Sequence, residues 1–370
     1  DDAVSAMHRR LHLGLDIIKR LPQMCRDAPE SLARATAVPC SHCAEANATK
    51  LSKRGHVAYV PSHAGRLVHM DLAGPFKAST IGGFKYVQVI IDDHTRQKFV
   101  YFLKTKDEAL PRMKRFIAEF NALSNRTARS PMRVLGSVHM DNAGEFLSRE
   151  MTELLDSASI ASTTCPPHVH ELNGVAERAI RSIFSIVRSN LVASGAPVGF
   201  WPYAVQHAVD VLNRTTGPPD SNQSSVQLMN GGESPSIMTL LPWACEAFAL
   251  KPRSAYSKTH IESHAWRGVN LGRNPTIPGA YDVWIPEHLK VVTTSEVYFR
   301  ENKMPWRARG DQHIGEATPQ PAPTALDNDP TPALLPPCST DEVAHLRDEV
   351  ARSHAISRAD WTKKEHLQGF

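Results

Sequence analysis

Arg66-Leu-Val-His-Met-Asp71 and Arg133-Val-Leu-Gly-Ser-Val-His-Met-Asp141 are two largely apolar stretches, each ending on an aspartate. In the first, Leu67, His69 and Asp71 alternate with Val68, Met70 and Leu72, which is the period of a strand. Phe84 to Ile91 and Lys98 to Leu103 are rich in β-branched and aromatic residues, as strands are. Gly82-Gly83 and Asp92-Asp93-His94-Thr95 supply turn chemistry around them. Then the period changes. Leu110, Met113, Phe116, Ile117, Phe120 and Leu123 recur at helical spacing, and Pro111 is tolerable near a first turn. A strand from Met132 to Met140 leads to Asp141, and a helix is expected from Ser148 to Ser157. Asn173 is expected to cap a long helix with an apolar stripe of Ile180, Ile183, Phe184, Val187 and Leu191. Three strands, a helix, a strand and further helices predict an α/β layer fold with a mixed sheet over residues 66–215.

Glu177 stands in the first turn of that long helix, in Asn173-Gly-Val-Ala-Glu177-Arg-Ala-Ile, with 35 residues between it and Asp141. Asp71, Asp141 and Glu177, gathered into one cleft, make a hard-oxygen cage suited to Mg²⁺ or Mn²⁺. Such a cage serves phosphoryl transfer, where metal ions activate the attacking oxygen and stabilise the leaving one. Each residue also has a bland explanation. Asp71 before Gly74-Pro75 suits a turn, Asp141-Asn-Ala-Gly144 suits another, and Glu177 complements a helix dipole. The joint pattern, with Arg178, Arg181 and Arg188 following, favours chemistry. Asp92 and Asp93 rank lower because they fall in a hairpin turn, and Glu145 because it sits too close to Asp141.

His8-Arg-Arg-Leu-His12 places two imidazoles at i and i+4, on one face of a helix if one forms there. Cys40-Ser-His-Cys43 places two thiolates where one turn can grip a metal. Such a set fills the four positions of Zn²⁺ and makes a structural site. A segment this small has little core of its own, so the metal is expected to supply much of its stability. Cys25 and His42 are decoys: the first lacks a partner at ligand spacing, and the second sits inside the cysteine turn.

The 370 residues divide into residues 1–50 with the His and Cys pairs, a polar connector at 51–65, the α/β region, a β-rich region at 216–303 and a tail at 304–370. The β-rich region is read as a small all-β barrel, from Ala247-Phe-Ala-Leu, Tyr281-Asp-Val-Trp-Ile, Lys290-Val-Val-Thr-Thr and Glu296-Val-Tyr-Phe. Residues 304–340, rich in Pro, Ala, Thr and Asp, read as a flexible linker. Net charge of +4 permits a polyanionic partner without demanding one. From Leu250 to Gly310, ten basic side chains face five acidic ones, an excess that fits phosphate contacts or a solvated face. No apolar run is long enough for a membrane helix, and the first residues lack the pattern of a secretory signal. Six dispersed cysteines suit a reducing compartment.

The order His-His, Cys-Cys, Asp, Asp and Glu with that spacing resembles retroviral and retrotransposon integrases, and its details resemble the copia-type branch. Supporting stretches are His69-Met-Asp71-Leu-Ala-Gly-Pro75, Gly82-Gly-Phe-Lys-Tyr86, Ile91-Asp-Asp-His-Thr-Arg96, Asp141-Asn-Ala-Gly-Glu-Phe146 and Asn173-Gly-Val-Ala-Glu-Arg178. Downstream, Asn213-Arg-Thr, Glu233-Ser-Pro-Ser, Asp282-Val-Trp and Glu296-Val-Tyr-Phe also fit. The resemblance implies an N-terminal zinc-binding helical module, a ribonuclease H-like core and an SH3-like C-terminal barrel. It further implies Mg²⁺-dependent joining of element DNA 3′ ends to target DNA by a homo-oligomer, in the nucleus with a cytoplasmic particle stage. Arg178, Arg181 and Arg188 become candidate DNA contacts. The chain departs from the family at Ala143, where glycine is usual, and at His170-Glu-Leu172, where a Pro-Gln-Gln run is usual. Its His pair is also one residue closer than is common. Alternatives are an inactive integrase-derived DNA-binding or scaffolding protein, and a nuclease or transposase of the same fold.

Overall fold

The computed structural model describes residues 2–36, 40–47, 61–77, 80–126, 135–140, 148–164, 174–252, 261–307 and 320–321. Asp141 and Asn173 lie outside the described residues, as do 132–134 of the strand expected to begin at Met132 and most of the tail.

A five-stranded sheet has the order β3-β2-β1-β4-β5, with β1 at Val68–Ala73, β2 at Tyr86–Asp92, β3 at Lys98–Leu103, β4 at Ser137–Met140 and β5 at Ala161–Thr164. β1, β2 and β3 pair antiparallel, whereas β4 lies parallel to both β1 and β5. The sheet is mixed, as the sequence predicts, and its order and strand directions give a ribonuclease H-like α/β core. Each strand feeds two layers by alternation. Val68, Met70, Phe99, Tyr101, Val138 and Met140 pack on one side, with α4 (Ala109–Arg126) and α5 (Arg149–Ser157). Val87, Val89, Ile91, Val100 and Phe102 pack on the other, with α6 (Gly174–Ser194) and α7 (Trp201–Thr215). The expected α4 stripe is present in buried Met113, Phe116 and Phe120. Ser148 precedes α5 rather than opening it, and its hydroxyl accepts from the Met151 amide as an N-cap.

The small strand β5 and the helix α7 were not picked out by the sequence reading. All fifteen residues of α7 are buried, including Gln206, His207, Asp210, Asn213 and Arg214. A helix enclosed on every side has no polar stripe to reveal its period.

The sheet is buttressed at one end. The Asn213 side chain accepts from the Lys98 amide at 2.9 Å and donates to the Lys98 carbonyl at 2.8 Å, bridging α7 to β3. Lys98 itself is buried, and its Nζ donates to the Arg96 carbonyl at 2.9 Å. Burial pulls its pKa down to about 7. In the unfolded chain a lysine titrates near ~10.4. Above pH 7 the folded state has shed this proton while the unfolded chain still carries it. Stability therefore rises with pH across that window, by ~1.4 kcal/mol per pH unit from this group. Lys98→Met removes the slope. Urea unfolding of both proteins between pH 7.5 and 9.5 checks it, and parallel stability curves would mean that Lys98 stays charged.

The chain's second sheet has the order β11-β10-β6-β7-β8-β9. Its strands are β6 (Glu246–Leu250), β7 (Ala265–Arg273), β8 (Tyr281–Ile285), β9 (Lys290–Thr294), β10 (Val297–Arg300) and β11 (Gln320–Pro321). Ala247, Ala249, Tyr281, Val283, Ile285, Val297 and Phe299 fill its interior. Four of these strands match the apolar runs of the sequence within a residue or two, whereas β7 and the two-residue β11, which falls in the expected linker, do not follow from it. The region is not all-β: α8 (Ser225–Asn230) precedes the strands, capped by Ser224 at its start and by left-handed Gly231 at its end. Trp306 stacks on Phe200 and Trp243, so residues at the start of the expected linker belong to the packed body.

The N-terminal segment contains α1 (Asp2–Leu11), α2 (Leu15–Met24), a single 3₁₀ turn at Glu30–Arg34 and α3 (Ser41–Asn47). Leu11, Ile18, Leu21, Met24 and Leu32 join the same hydrophobic cluster as α6, α7 and Trp284. The Cys25 thiol donates to the Arg214 carbonyl at 3.1 Å, and Arg10 forms a bidentate pair with Glu301 at 2.7 and 2.9 Å. A segment with little core of its own thus also draws support from the body of the protein, beside whatever a metal contributes. The segment shares the main core.

Candidate functional site

Asp71 lies on β1, half-buried, and its Oδ1 accepts from the Leu72 amide at 2.7 Å. Val68 and Met70 point to the α4 side, so alternation turns His69, Asp71 and Ala73 toward α6. α6 packs against β1 and β2, and Ala176, beside Glu177, is buried in that contact. The structure therefore puts Asp71 and the helix bearing Glu177 on one side of the sheet. β1 and β4 repeat the sequence Val-His-Met in parallel register, with Val68 beside Val138, His69 beside His139 and Met70 beside Met140. The residues that follow are Asp71 and Asp141, the latter outside the described residues.

β1 ends soon after Asp71 for a local reason. Gly74 has φ +129, and a Cβ there would sit 2.5 Å from the Lys85 carbonyl oxygen. Only glycine fits that turn. Glu177 is exposed in the first turn of α6, where the helix dipole favours an anion. Arg178, Arg181 and Arg188 are exposed on the same helix. At helical spacing Arg181 and Arg188 share the Glu177 stripe, so one solvent-facing edge carries the carboxylate and then two cations.

The competing aspartates have structural work. Asp92 is fully buried, its Oδ1 accepting from Gly65 N at 2.6 Å and its Oδ2 from Thr95 N and Oγ1 at 2.8 and 2.7 Å. Burial pushes its pKa up, and these donors pull it down. Asp93 pairs with Arg96 at 2.6 Å and lies 3.4 Å from His69 Nε2. Both secure the hairpin turn, as the ranking below Asp71 anticipates.

The His and Cys pairs do converge. Ligand atoms of His8, His12, Cys40 and Cys43 lie within 4.8 Å of one another. Cys43 Sγ stands 3.3 Å from both His8 Nε2 and His12 Nδ1, and Cys40 Sγ stands 3.8 Å from His12 Nδ1. A tetrahedral zinc with nitrogen and sulfur ligands has ligand-to-ligand edges of about 3.3–3.8 Å, so the donor set fits. The route differs from the expected one. α1 stops at Leu11 and His12 follows with φ 51, so the two rings meet around a helix end rather than along a helix face. His8 Nδ1 donates to the Leu13 carbonyl at 3.0 Å, a tautomer that leaves Nε2 with its lone pair toward the sulfurs. Hydrogen bonding from Cys43 and the histidines lowers the pKa of Cys40, while hydrogen bonding to Cys40 and burial raise that of Cys43. His42 and Cys25 stay out of the cluster.

The basic excess of the β-rich region is partly consumed inside the protein. Glu246 is fully buried and pairs with Arg267, Arg300 and Lys303, while Arg273 pairs with Asp210. No helix among the described residues is long and apolar enough to cross a membrane.

Comparison with known proteins gives these features a lineage. The family described as Integrase core domain matches residues 61–170. A retrovirus-related Pol polyprotein from transposon TNT 1-94 of Nicotiana tabacum is 31% identical over 308 residues, covering 82% of this chain and 22% of that protein. A retrovirus-related Pol polyprotein from transposon RE2 of Arabidopsis thaliana is 27% identical over 267 residues, covering 70% of this chain and 17% of that protein. The chain belongs to the copia-type retrotransposon integrase family. It spans about a fifth of the length of these curated relatives. A chain of the simian T-cell lymphotropic virus intasome in complex with PP2A regulatory subunit B56 gamma aligns at 15% identity and a TM-score of 0.38, over 79% of this integrase-family chain and 95% of that one.

Proposed function

We propose that this chain is the integrase of a copia-type element and joins element DNA 3′ ends to target DNA by divalent-metal-dependent polynucleotidyl transfer. One observation carries the reading. The parallel register sets Met70 of β1 beside Met140, the last residue of β4, each directly before an aspartate in the sequence, and Asp71 shares its side of the sheet with the helix of Glu177. Asp71, Asp141 and Glu177 form the D,D-35-E set in this reading. Their hard oxygen donors fit Mg²⁺ or Mn²⁺, which when bound supplies Lewis-acid activation of water or a DNA 3′-hydroxyl and stabilises the leaving oxygen. Ala176 and Ala179, packed on the sheet, anchor the first turns of α6 and so fix where Glu177 projects. Arg178, Arg181 and Arg188 extend that edge and neutralise DNA phosphates, giving salt-sensitive binding.

The remaining parts follow the same lineage. His8, His12, Cys40 and Cys43 hold Zn²⁺, whose closed four-ligand set makes it structural. Residues 1–50 are the zinc-binding module, 51–65 a connector, 66–215 the catalytic core, 216–303 the SH3-like barrel region and 304–370 a linker and tail whose first residues, around Trp306, pack on the body. A homo-oligomer acts on element ends and target DNA in the nucleus, after a particle stage in the cytoplasm. Purified protein incubated with Mg²⁺ and labelled duplex ends tests the central claim. Joined strands are the expected product. Cut but unjoined strands would mean a nuclease, and bound but unaltered DNA a scaffold.

A further inference from the structure

We infer that Ser189, on the helix that begins beside Glu177, is a positioning residue of the His8/His12/Cys40/Cys43 metal centre and ties that centre to α6. This rests on the zinc reading above. Ser189 Oγ lies 3.6 Å from Cys43 Sγ and 3.0 Å from the Ser185 carbonyl, and Ser189 is fully buried. α3, which carries Cys43, packs directly on α6. The ligand set therefore has a fifth neighbour that comes from the core rather than from the N-terminal segment.

The protons account for its role. A serine hydroxyl has one proton to give and lone pairs to accept with. The hydroxyl stands between two acceptors, the Ser185 carbonyl at 3.0 Å, to which it donates, and Cys43 Sγ at 3.6 Å. That carbonyl already receives a backbone amide one helical turn on, so it does not depend on the hydroxyl. When Cys43 ligates as a thiolate its proton is gone. The Ser189 hydroxyl can then turn from Ser185 to the sulfur, donating to an anion, which is the stronger kind of hydrogen bond. Metal ligands are commonly oriented by such outer partners, and losing one typically costs roughly 10–100-fold in metal affinity. The coupling runs both ways. A ligand sulfur anchored to α6 holds α3 against the helix whose first turn presents Glu177.

Full-length protein carrying Ser189→Ala tests this, with Ser189→Thr as the hydroxyl-retaining control. Zinc affinity is read by chelator competition, and cobalt-substituted protein by its thiolate-to-cobalt charge-transfer absorption. Circular dichroism establishes that each variant is folded. The expected result for Ser189→Ala is roughly 10–100-fold weaker zinc binding and a shifted charge-transfer band. The threonine variant should stay near the unmodified values. Unchanged affinity and an unchanged cobalt spectrum in Ser189→Ala overturn the inference and leave the zinc site standing. Absence of stoichiometric zinc or cobalt binding by the unmodified chain overturns both.

Discussion

Asp71→Asn is expected to abolish Mg²⁺-dependent strand joining while leaving DNA binding nearly intact. The substitution keeps side-chain shape and keeps an oxygen to accept from the Leu72 amide. β1 retains its pairing with β2 and β4, because those ladders run through the backbone. What disappears is one negative charge among donors that must bind a divalent cation. Groups that act as a unit fail together, so the loss in rate should be roughly 10³-fold or more rather than a fraction. Asp141→Asn should behave alike. Asp92→Asn is the informative contrast: Asp92 holds Gly65 and Thr95 in a buried turn, so the variant should lose stability before it loses chemistry. Labelled duplex ends resolved by gel, with filter binding in parallel, separate these outcomes. Joining by Asp71→Asn at the unmodified rate would remove Asp71 from the site.

Legibility in the sequence tracked how one-sided each element is. α4 could be read because its apolar residues recur at a single period, and β3 because it is a short run of aromatic and β-branched residues, all of which the structure buries. α7 could not, since its polar residues are buried along with its apolar ones and spoil the stripe. β7 was missed for a related reason. Ala265-Trp-Arg-Gly-Val-Asn-Leu-Gly-Arg273 mixes glycines and polar groups because the strand is irregular between Asn270 and Arg273 and passes close to α7. A Cβ at Gly272 would come within 3.3 Å of the His207 side chain.

The site was legible in its residue types more than in its construction. The four zinc-like side chains do converge, yet their spacing in the sequence suggests that the two histidines share one helix face. The structure brings them together across a helix end, with His12 in left-handed backbone. Nothing local in the N-terminal segment reveals that Ile18 and Leu21 pack into the core of a distant helix. Ser189 carried no signal at all. A lone serine inside an amphipathic helix looks like any other until the partner 146 residues away is placed beside it.

Asp210→Ala should be the most destabilising single change among the buried ion pairs. Asp210 on α7 binds Arg214 Nε at 2.8 Å and lies 3.5 Å from Arg273 on β7, all three at most 9% exposed at the side chain. Arg214 also donates to the Ser236 carbonyl at 3.2 Å, so it cannot swing out to water without breaking the packing around α7. Removing the carboxylate strands two guanidinium groups in a low-dielectric interior. Breaking a buried pair from one side costs about 3–5 kcal/mol, mostly as uncompensated charge. The size of the loss comes from what is left behind, which a double variant can expose. Asp210→Leu combined with Arg214→Met removes both charges of the closer pair and keeps similar volume, leaving one unpaired guanidinium, Arg273, instead of two. If desolvation of orphaned charge dominates, the double variant should recover much of the stability that Asp210→Ala loses, even though it lacks more of the native contacts. Urea unfolding of the three proteins measures this directly. A double variant less stable than Asp210→Ala would mean that the pair contributes through its hydrogen-bond geometry, and that α7 owes its place to specific polar contacts rather than to the apolar residues around them.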